Sequence, residues 1–321
     1  MRVTNSMLSK SFLRDLNRNQ NNLKKINNQL SSGKEISRPS DNPYKAARSM
    51  QLSSDIKAAI QYNENIKDTT NWLDTTDTAL QQLEKSFQRI RELMVSAGNA
   101  AYGSDEKKAI KDEINEKVNE IAQILNTNFD GKYIFGGTKV NSKPVAVQAD
   151  GTTGNNKLYY ASSDGSKINV SDKEYNMLAS GLIVEISQGV TMKYNVTATE
   201  ILEFGEGANK VNVMNLLTDI TNSLDSEDSS EVTGNLLSQM DSAISNLLKV
   251  MAELGSKQNR MEAAATQNED QILNLKDVLS QTEDIDFAEK TIEASVAQTV
   301  YMASLQVSAR IIQPTLLDFL R

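Results

Sequence analysis

The sequence predicts a mainly α chain: an elongated antiparallel helical bundle or coiled coil built from both chain ends, with a small β-rich domain inserted in the middle. Three observations predict it. Apolar residues recur at steps of three and four over long stretches in both halves, the spacing of one helix face. Only four prolines, at positions 39, 43, 144 and 314, punctuate the 321 residues, so long helices can run without a break. Between Gly131 and Gly207 glycine becomes frequent and β-branched residues alternate with polar ones, a strand texture.

Composition narrows the function. Apolar residues make up 39% of the chain and aromatics only 5%, which suits long helices with much surface better than a compact globule. Cysteine is absent, which removes disulfides, thiol nucleophiles and thiolate metal sites. Histidine is absent too, so HExxH, Ser-His-Asp and Cys-His constellations are ruled out. A net charge of −8 argues against a dedicated nucleic-acid binder. No apolar run approaches the roughly 20 residues needed to span a bilayer, and the first residues lack the apolar segment and cleavage site of a secretory signal. A protein of this kind that leaves the cell is expected to use another route.

Residues 1–30 carry Phe12, Leu16, Leu23, Ile26 and Leu30 on a heptad stripe, with polar Asn19 at one position. Burying five such side chains is worth roughly 10–15 kcal/mol. Ordering the backbone costs roughly 1–2 kcal/mol per residue over this length, so the helix alone is expected to be largely unformed. Its charges are mostly basic, whereas those of the last helix are mostly acidic, and two incomplete helices of opposite sign invite pairing. A basic solvated arm is the plainer alternative. Gly33 ends this helix, and Pro39 and Pro43 bracket Ser40-Asp41-Asn42 in a stiff connector. A long helix follows from Tyr44, with Leu73, Thr76, Leu80, Leu83, Phe87, Ile90 and Met94 in register, closing near Gly98. Another begins at Ser104-Asp105-Glu106, carried by Ile110, Ile114, Val118, Ile121 and Leu125.

Strands are expected at Tyr133–Phe135, Val145–Val147, Lys157–Tyr160, Leu182–Ile186 and Val190–Val196, with a hairpin turn at Ser187-Gln188-Gly189. A short helix near Asn209–Leu224 precedes an acidic patch. Then comes a sustained heptad from Leu236 through Met240, Leu247, Leu254, Met261, Asn268 and Ile272 to Leu279. Gly255 inside it suggests a neighbouring backbone in close approach. The final stretch, Ser280 to Arg321, places Ile285, Ala288, Ile292, Val296, Val300, Ala303, Val307 and Ile311 on one stripe, flanked by Tyr301, Leu305 and Ile312. Ser280 with Glu283 reads as a capping box, and Pro314 as the stop before an apolar tail containing Leu316, Leu317 and Phe319.

No chemistry survives a residue-by-residue weighing. GKYIFGGT, Gly131 to Thr138, lacks the lysine and the strand-then-helix setting of a phosphate loop and reads as a structural turn. Asp225 to Glu231 lacks the alternating ligands and central glycine of a calcium loop and reads as a solvated acidic segment. Met240, Met251 and Met261 sit on the heptad stripe as packing residues. Trp72 and Tyr62 read as core or interface. The triplets starting at Asn169 and Asn195 fit a glycan acceptor pattern that chance often produces.

Several strings, however, resemble the superfamily of flagellins and hook-associated proteins. LSSGKEISRPSDNP (Leu30 to Pro43) is similar to its connector, and ELGSKQNRMEAA (Glu253 to Ala264) to its LGxxQNR signature. NTNFDGKYIFGGTK (Asn126 to Lys139), ISQGVTMKYNV (Ile186 to Val196) and the ending Thr315-Leu316-Leu317-Asp318-Phe319-Leu320 resemble the junction-forming branch more than filament flagellin. Arg321 extends that ending by one residue. The resemblance covers both helical ends strongly and the middle weakly.

The resemblance implies a non-enzymatic structural protein of the bacterial flagellum that binds no cofactor or metal and sits at the hook–filament junction. It implies three parts: residues 1–40 with 281–321 as a terminal coiled coil, 41–131 with 205–280 as a helical rod, and 132–204 as an outward β-rich insertion. Implied partners are other copies in a ring, the hook-side junction protein, flagellin and a cytosolic export chaperone on the C-terminal region. No nucleic acid or membrane is among them. The implied route is the flagellar type III channel to the cell exterior, without a cleaved signal. The expected assembly residues are Phe12, Leu16, Leu23, Ile26 and Leu30 on the first helix, and Ile292, Val296, Val300, Ala303, Val307, Ile311, Leu316, Leu317 and Phe319 at the other end. Filament flagellin and a cytosolic coiled-coil scaffold are the rival readings.

Overall fold

The computed structural model describes residues 5–98, 103–151, 154–170, 172–205, 210–225 and 234–311. The chain forms two compact units, one from Met1–Ile60 with Asp270–Arg321, the other from Gln61–Glu269.

The first unit opens with α1, Asn5–Ser32. Gly33 closes it in the left-handed region at φ +72°, its N–H donating to the Gln29 carbonyl. In the connector, Asp41 Oδ2 accepts from the backbone N–H groups of Ser37 and Arg38, so the two prolines bracket a hydrogen-bonded turn. Asn42 then caps α2, Pro43–Ala97: its Oδ1 accepts from Lys45 N, and Pro43 takes the first helical position, where no N–H is needed. At the other end of the chain, α7 runs Asn235–Glu283 and α8 Phe287–Ile311. The expected capping box at Ser280 is therefore wrong. Ser280 lies inside α7, because the Leu275 and Leu279 stripe carries the helix one turn further, and its hydroxyl donates to Asp284. The cap of α8 is Asp286, whose Oδ1 accepts from Ala288 N and Glu289 N. The residues around Pro314 lie outside the described residues.

α1 and α8 pack on one another and run antiparallel: Gly33 meets the Phe287 ring at one end, and Asn19 Nδ2 reaches Ser304 Oγ further along. Each terminal helix is thus formed against the other, which supplies the buried surface that α1 alone lacks.

The second unit has one contiguous apolar core from Ile66 to Met261. The stripe Leu73, Leu80, Leu83, Phe87, Ile90 and Met94 on α2 is fully buried. Thr76 keeps its place in that stripe because its hydroxyl donates to the Trp72 carbonyl one turn back. α3 spans Ser104–Leu125 and buries Ile110, Ile114, Val118, Ile121 and Leu125. Arg91 pairs with Asp241, and Gln258 Nε2 donates to Asp74, so α2 and α7 run antiparallel here. Asn268, a polar residue on the α7 heptad, is buried because its Nδ2 donates to the Ile186 carbonyl. Gly255 differs from expectation: a Cβ there would meet open space, so no backbone approaches it.

Among the described residues the β region forms four separate two-stranded antiparallel ladders: β1–β2 (Asn128–Phe129 with Lys132–Tyr133), β3–β4 (Val145–Ala149 with Asn156–Tyr160), β5–β6 (Ile183–Ser187 with Val190–Lys193) and β7–β8 (Glu203–Phe204 with Val211–Asn212). The β5–β6 turn carries Gly189 at φ +74°, as the sequence predicts. Leu158, Tyr160, Ile186 and Met192 from these ladders join the same core as the helices. The expected strand at Tyr133–Phe135 is shorter. Ile134 and Phe135 turn away and are buried, because the glycines after them fold the chain sharply. In that turn Thr138 N–H donates to the Met177 carbonyl, and a Cβ on Gly137 would lie 2.4 Å from the carbonyl oxygens of Met177 and Leu178. GKYIFGGT is a structural turn. Two short helices, α4 (Lys173–Ala179) and α5 (Ala198–Leu202), are too brief for periodicity to show and were not expected. α6 covers Val213–Asp225.

Candidate assembly interface

On α1 the expected residues fall on one face: Ile26 is buried, and Phe12, Leu16, Leu23 and Leu30 are half-buried. On α8 the apolar stripe lies along the edge of the seam with α1 and stays largely open to solvent. Ile292, Val296, Val300 and Val307 remain 66%, 56%, 46% and 48% exposed, and Ala303 is exposed as well. The face turned towards α1 is the row Lys290, Ala294, Ala297, Tyr301 and Ser304, all half-buried. Its steps of four, three, four and three make a second heptad, and its small alanine and serine side chains permit close approach. Only Tyr301 in this row stands out as apolar in sequence, so the stronger stripe hid the weaker one. The side chain of Ile311, together with Leu316, Leu317 and Phe319, lies outside the described residues.

Between the two rows a shallow groove of about 580 Å³ is lined by Asn19, Ile26 and Gln29 of α1 and by Ile292, Val296 and Val300 of α8. Among the described residues, no ion pair joins the two helices. The ion pairs found on them, Asp15–Arg18 and Lys290–Glu293, close within each helix. α8 therefore has two usable faces, one holding α1 and one left apolar and open.

The base of the pair is held by Glu283, which the sequence reads as half of a capping box with Ser280 and which the structure uses instead to bind other segments. Glu283, 8% exposed at the end of α7, accepts from Lys34 Nζ of the connector and from Ser49 Oγ of α2. Glu35 N–H donates to the Glu283 carbonyl, Ile285 N–H to the Gly33 carbonyl, and Gln29 Nε2 to the Glu35 carbonyl. Four segments of the first unit meet at this knot. The GKE of the connector supplies three of its members.

No described helix is long and apolar enough to cross a membrane. Residues 3–140 match the family model of the bacterial flagellin N-terminal helical region, and residues 237–320 that of the C-terminal helical region. Flagellar hook-associated protein 3 of Escherichia coli K12 is 24% identical across 95% of this chain and 95% of its own length. Flagellin of Bacillus subtilis 168 is 26% identical across 97% of this chain and 96% of its own. The solved structure of flagellar hook-associated protein 3 from Legionella pneumophila, 14% identical, covers 72% of this chain and 98% of its own with a TM-score of 0.59, and shows the same fold. With both ends matched by the two helical regions of one family and nearly the whole length matched by hook-associated protein 3, the chain belongs to the flagellin superfamily and is of its hook-associated protein 3 type.

Proposed function

We propose that this chain is a structural component of the flagellar hook–filament junction, an adapter that assembles into a ring through its paired terminal helices. The observation that carries this reading is the exposed row Ile292, Val296, Val300 and Val307. Long apolar side chains in register on an ordered helix are costly to leave in water and mark a surface meant to be covered. The chain's own α1 does not cover them. Neighbouring subunits would, with Leu316, Leu317 and Phe319 extending the same contact.

On this reading residues 1–40 and 281–321 are the assembling part, 41–131 with 205–280 a stiffening rod, and 132–204 the outward portion. The hook-side junction protein and flagellin are the neighbours above and below. An export chaperone shields the C-terminal region before release through the flagellar type III channel, and no catalysis is involved. Filament flagellin is the second reading, favoured by the equal full-length likeness to the Bacillus protein. Deleting the gene tests both. The junction reading expects cells that keep their hooks, lose their filaments and shed soluble flagellin, with the tagged protein found as a trace band at the hook tip in purified flagella. Normal filaments in the deletion strain, or the protein as the bulk of the filament, would overturn it.

A further inference from the structure

The second unit holds a groove that the terminal helices do not explain. It measures about 640 Å³ and lies between two antiparallel stretches, residues 63–74 of α2 and 258–269 of α7. Buried Ile66 and Met261, with Ala265, form its floor. Exposed Glu64, Asp74, Glu262 and Glu269 form its rim, against one ammonium, that of Lys67. Among the described residues none of these four carboxylates is in an ion pair. From Glu64 to Asp74 the rim runs about 15 Å, at about 1.5 Å per residue.

The first unit carries a surface that matches it. On α1, Lys10, Arg14 and Arg18 recur at steps of four and share one exposed face, with Lys25 seven residues on. That face is turned away from Phe12, Leu16, Leu23 and Leu30, so packing on α8 leaves it open. Arg18 meets only Asp15, at 3.6 Å with both side chains solvated, and Asp15 is the only acidic residue on α1. In a protein of net charge −8 this helix is a basic segment. Lys10 to Arg18 covers about 12 Å of helix, so three cations fit within the length of the rim. A small cation would leave the apolar floor bare, and an apolar helix would bury the carboxylates without partners. Lysine and arginine answer both, since their methylene stems lie on apolar surface while the charged heads reach the rim.

We propose that this groove docks the basic face of α1, Lys10 to Lys25, from a second copy of the chain. Such docking depends on the assembly reading above only in requiring that copies meet; charge, spacing and the apolar floor choose the occupant. The contact is additional to the open row of α8. It is electrostatic where that one is apolar, so added salt weakens it.

Because the chain has no cysteine, introduced thiols mark the contact without background from the protein itself. Asn17→Cys places one beside the basic face and Asn259→Cys one in the groove, both at exposed positions. Full-length chains carrying one each, with different tags, are expressed together in place of the native protein, and isolated flagella are treated with a short bismaleimide. The expected product is a mixed dimer of the two tagged chains. Asn17→Cys with Val95→Cys, exposed elsewhere on α2, is the control expected to stay unlinked. Adding Arg14→Glu and Arg18→Glu to the first chain, or Glu262→Lys and Glu269→Lys to the second, should lower the mixed dimer by about tenfold, as two attractions become repulsions. Combining the two charge reversals should restore it to within about twofold of the starting yield, while thermal melts of each purified chain check that folding is unchanged. Absence of the mixed dimer, or no recovery in the combined reversal, overturns the docking and leaves intact the junction reading, which the deletion strain tests by itself.

Discussion

The two faces of α8 can be separated by substitution. Ile292→Asp combined with Val296→Asp places carboxylates on the open row while leaving Ala294, Ala297 and Tyr301 on α1. A fully buried Val or Ile is worth roughly 1.5–3 kcal/mol. With 66%, 56%, 46% and 48% of Ile292, Val296, Val300 and Val307 still open, about half of that is held in reserve, roughly 3–6 kcal/mol per subunit contact. The two substitutions remove about half of this and add the cost of desolvating two carboxylates, enough to weaken assembly by roughly a hundredfold or more. In the free chain the same positions are largely solvated, so the unfolding free energy from urea titration should change by no more than about 0.5 kcal/mol per site. Ala297→Asp is the counterpart, expected to loosen the α1–α8 pair in the monomer. The assay pairs urea unfolding and hydrogen exchange of purified monomer with filament attachment in cells. Normal filaments from the Ile292→Asp, Val296→Asp chain would refute the assignment of the outer face, and so would a monomer destabilised as much as by Ala297→Asp.

Other expectations follow from single sites. Glu283→Ala leaves Lys34 and Ser49 without their shared acceptor and should cost about 2 kcal/mol, read as a lower urea midpoint with faster exchange at residues 33–36. Gly255→Ala meets open space and should stabilise α7 by about 1 kcal/mol, visible as a higher Tm. Gly137→Ala forces a side chain into φ +62° and onto two carbonyl oxygens, and should destabilise the second unit by roughly 3 kcal/mol in denaturant titration. Lys117 beside Glu120 holds that carboxyl below the usual range, and Lys139 does the same for Glu174. Both folded values lie below the unfolded ones, so their stabilisation is complete above the unfolded value near pH 4.5 and is lost as pH falls through the folded values. Thermal melts between pH 6 and pH 3 should show this fall, and Glu174→Gln should make it shallower.

Local rules were legible without coordinates where one force dominated. The heptads at Leu73–Met94, Ile110–Leu125 and Leu236–Ile272 give their helices outright, because a stripe of large apolar residues has one economical geometry. The turn at GKYIFGGT and the hairpin at Gly189 follow from glycine's access to positive φ. Elements of five or seven residues, such as α5 and α4, carry too few periods to read.

By itself, then, the sequence determined which segments become long helices, that the ends are amphipathic and incomplete alone, and which family the connector and signature strings belong to. Only the tertiary structure decided which face of α8 is already used. The apolar stripe is the stronger signal, but the partner helix settles on Ala294, Ala297, Tyr301 and Ser304, where small side chains let two backbones come close. The same holds for Glu283 and for Trp72. One is held between Lys34 and Ser49, the other meets no acceptor among the described residues, and both outcomes depend on residues far away in the chain whose meeting no local spacing encodes.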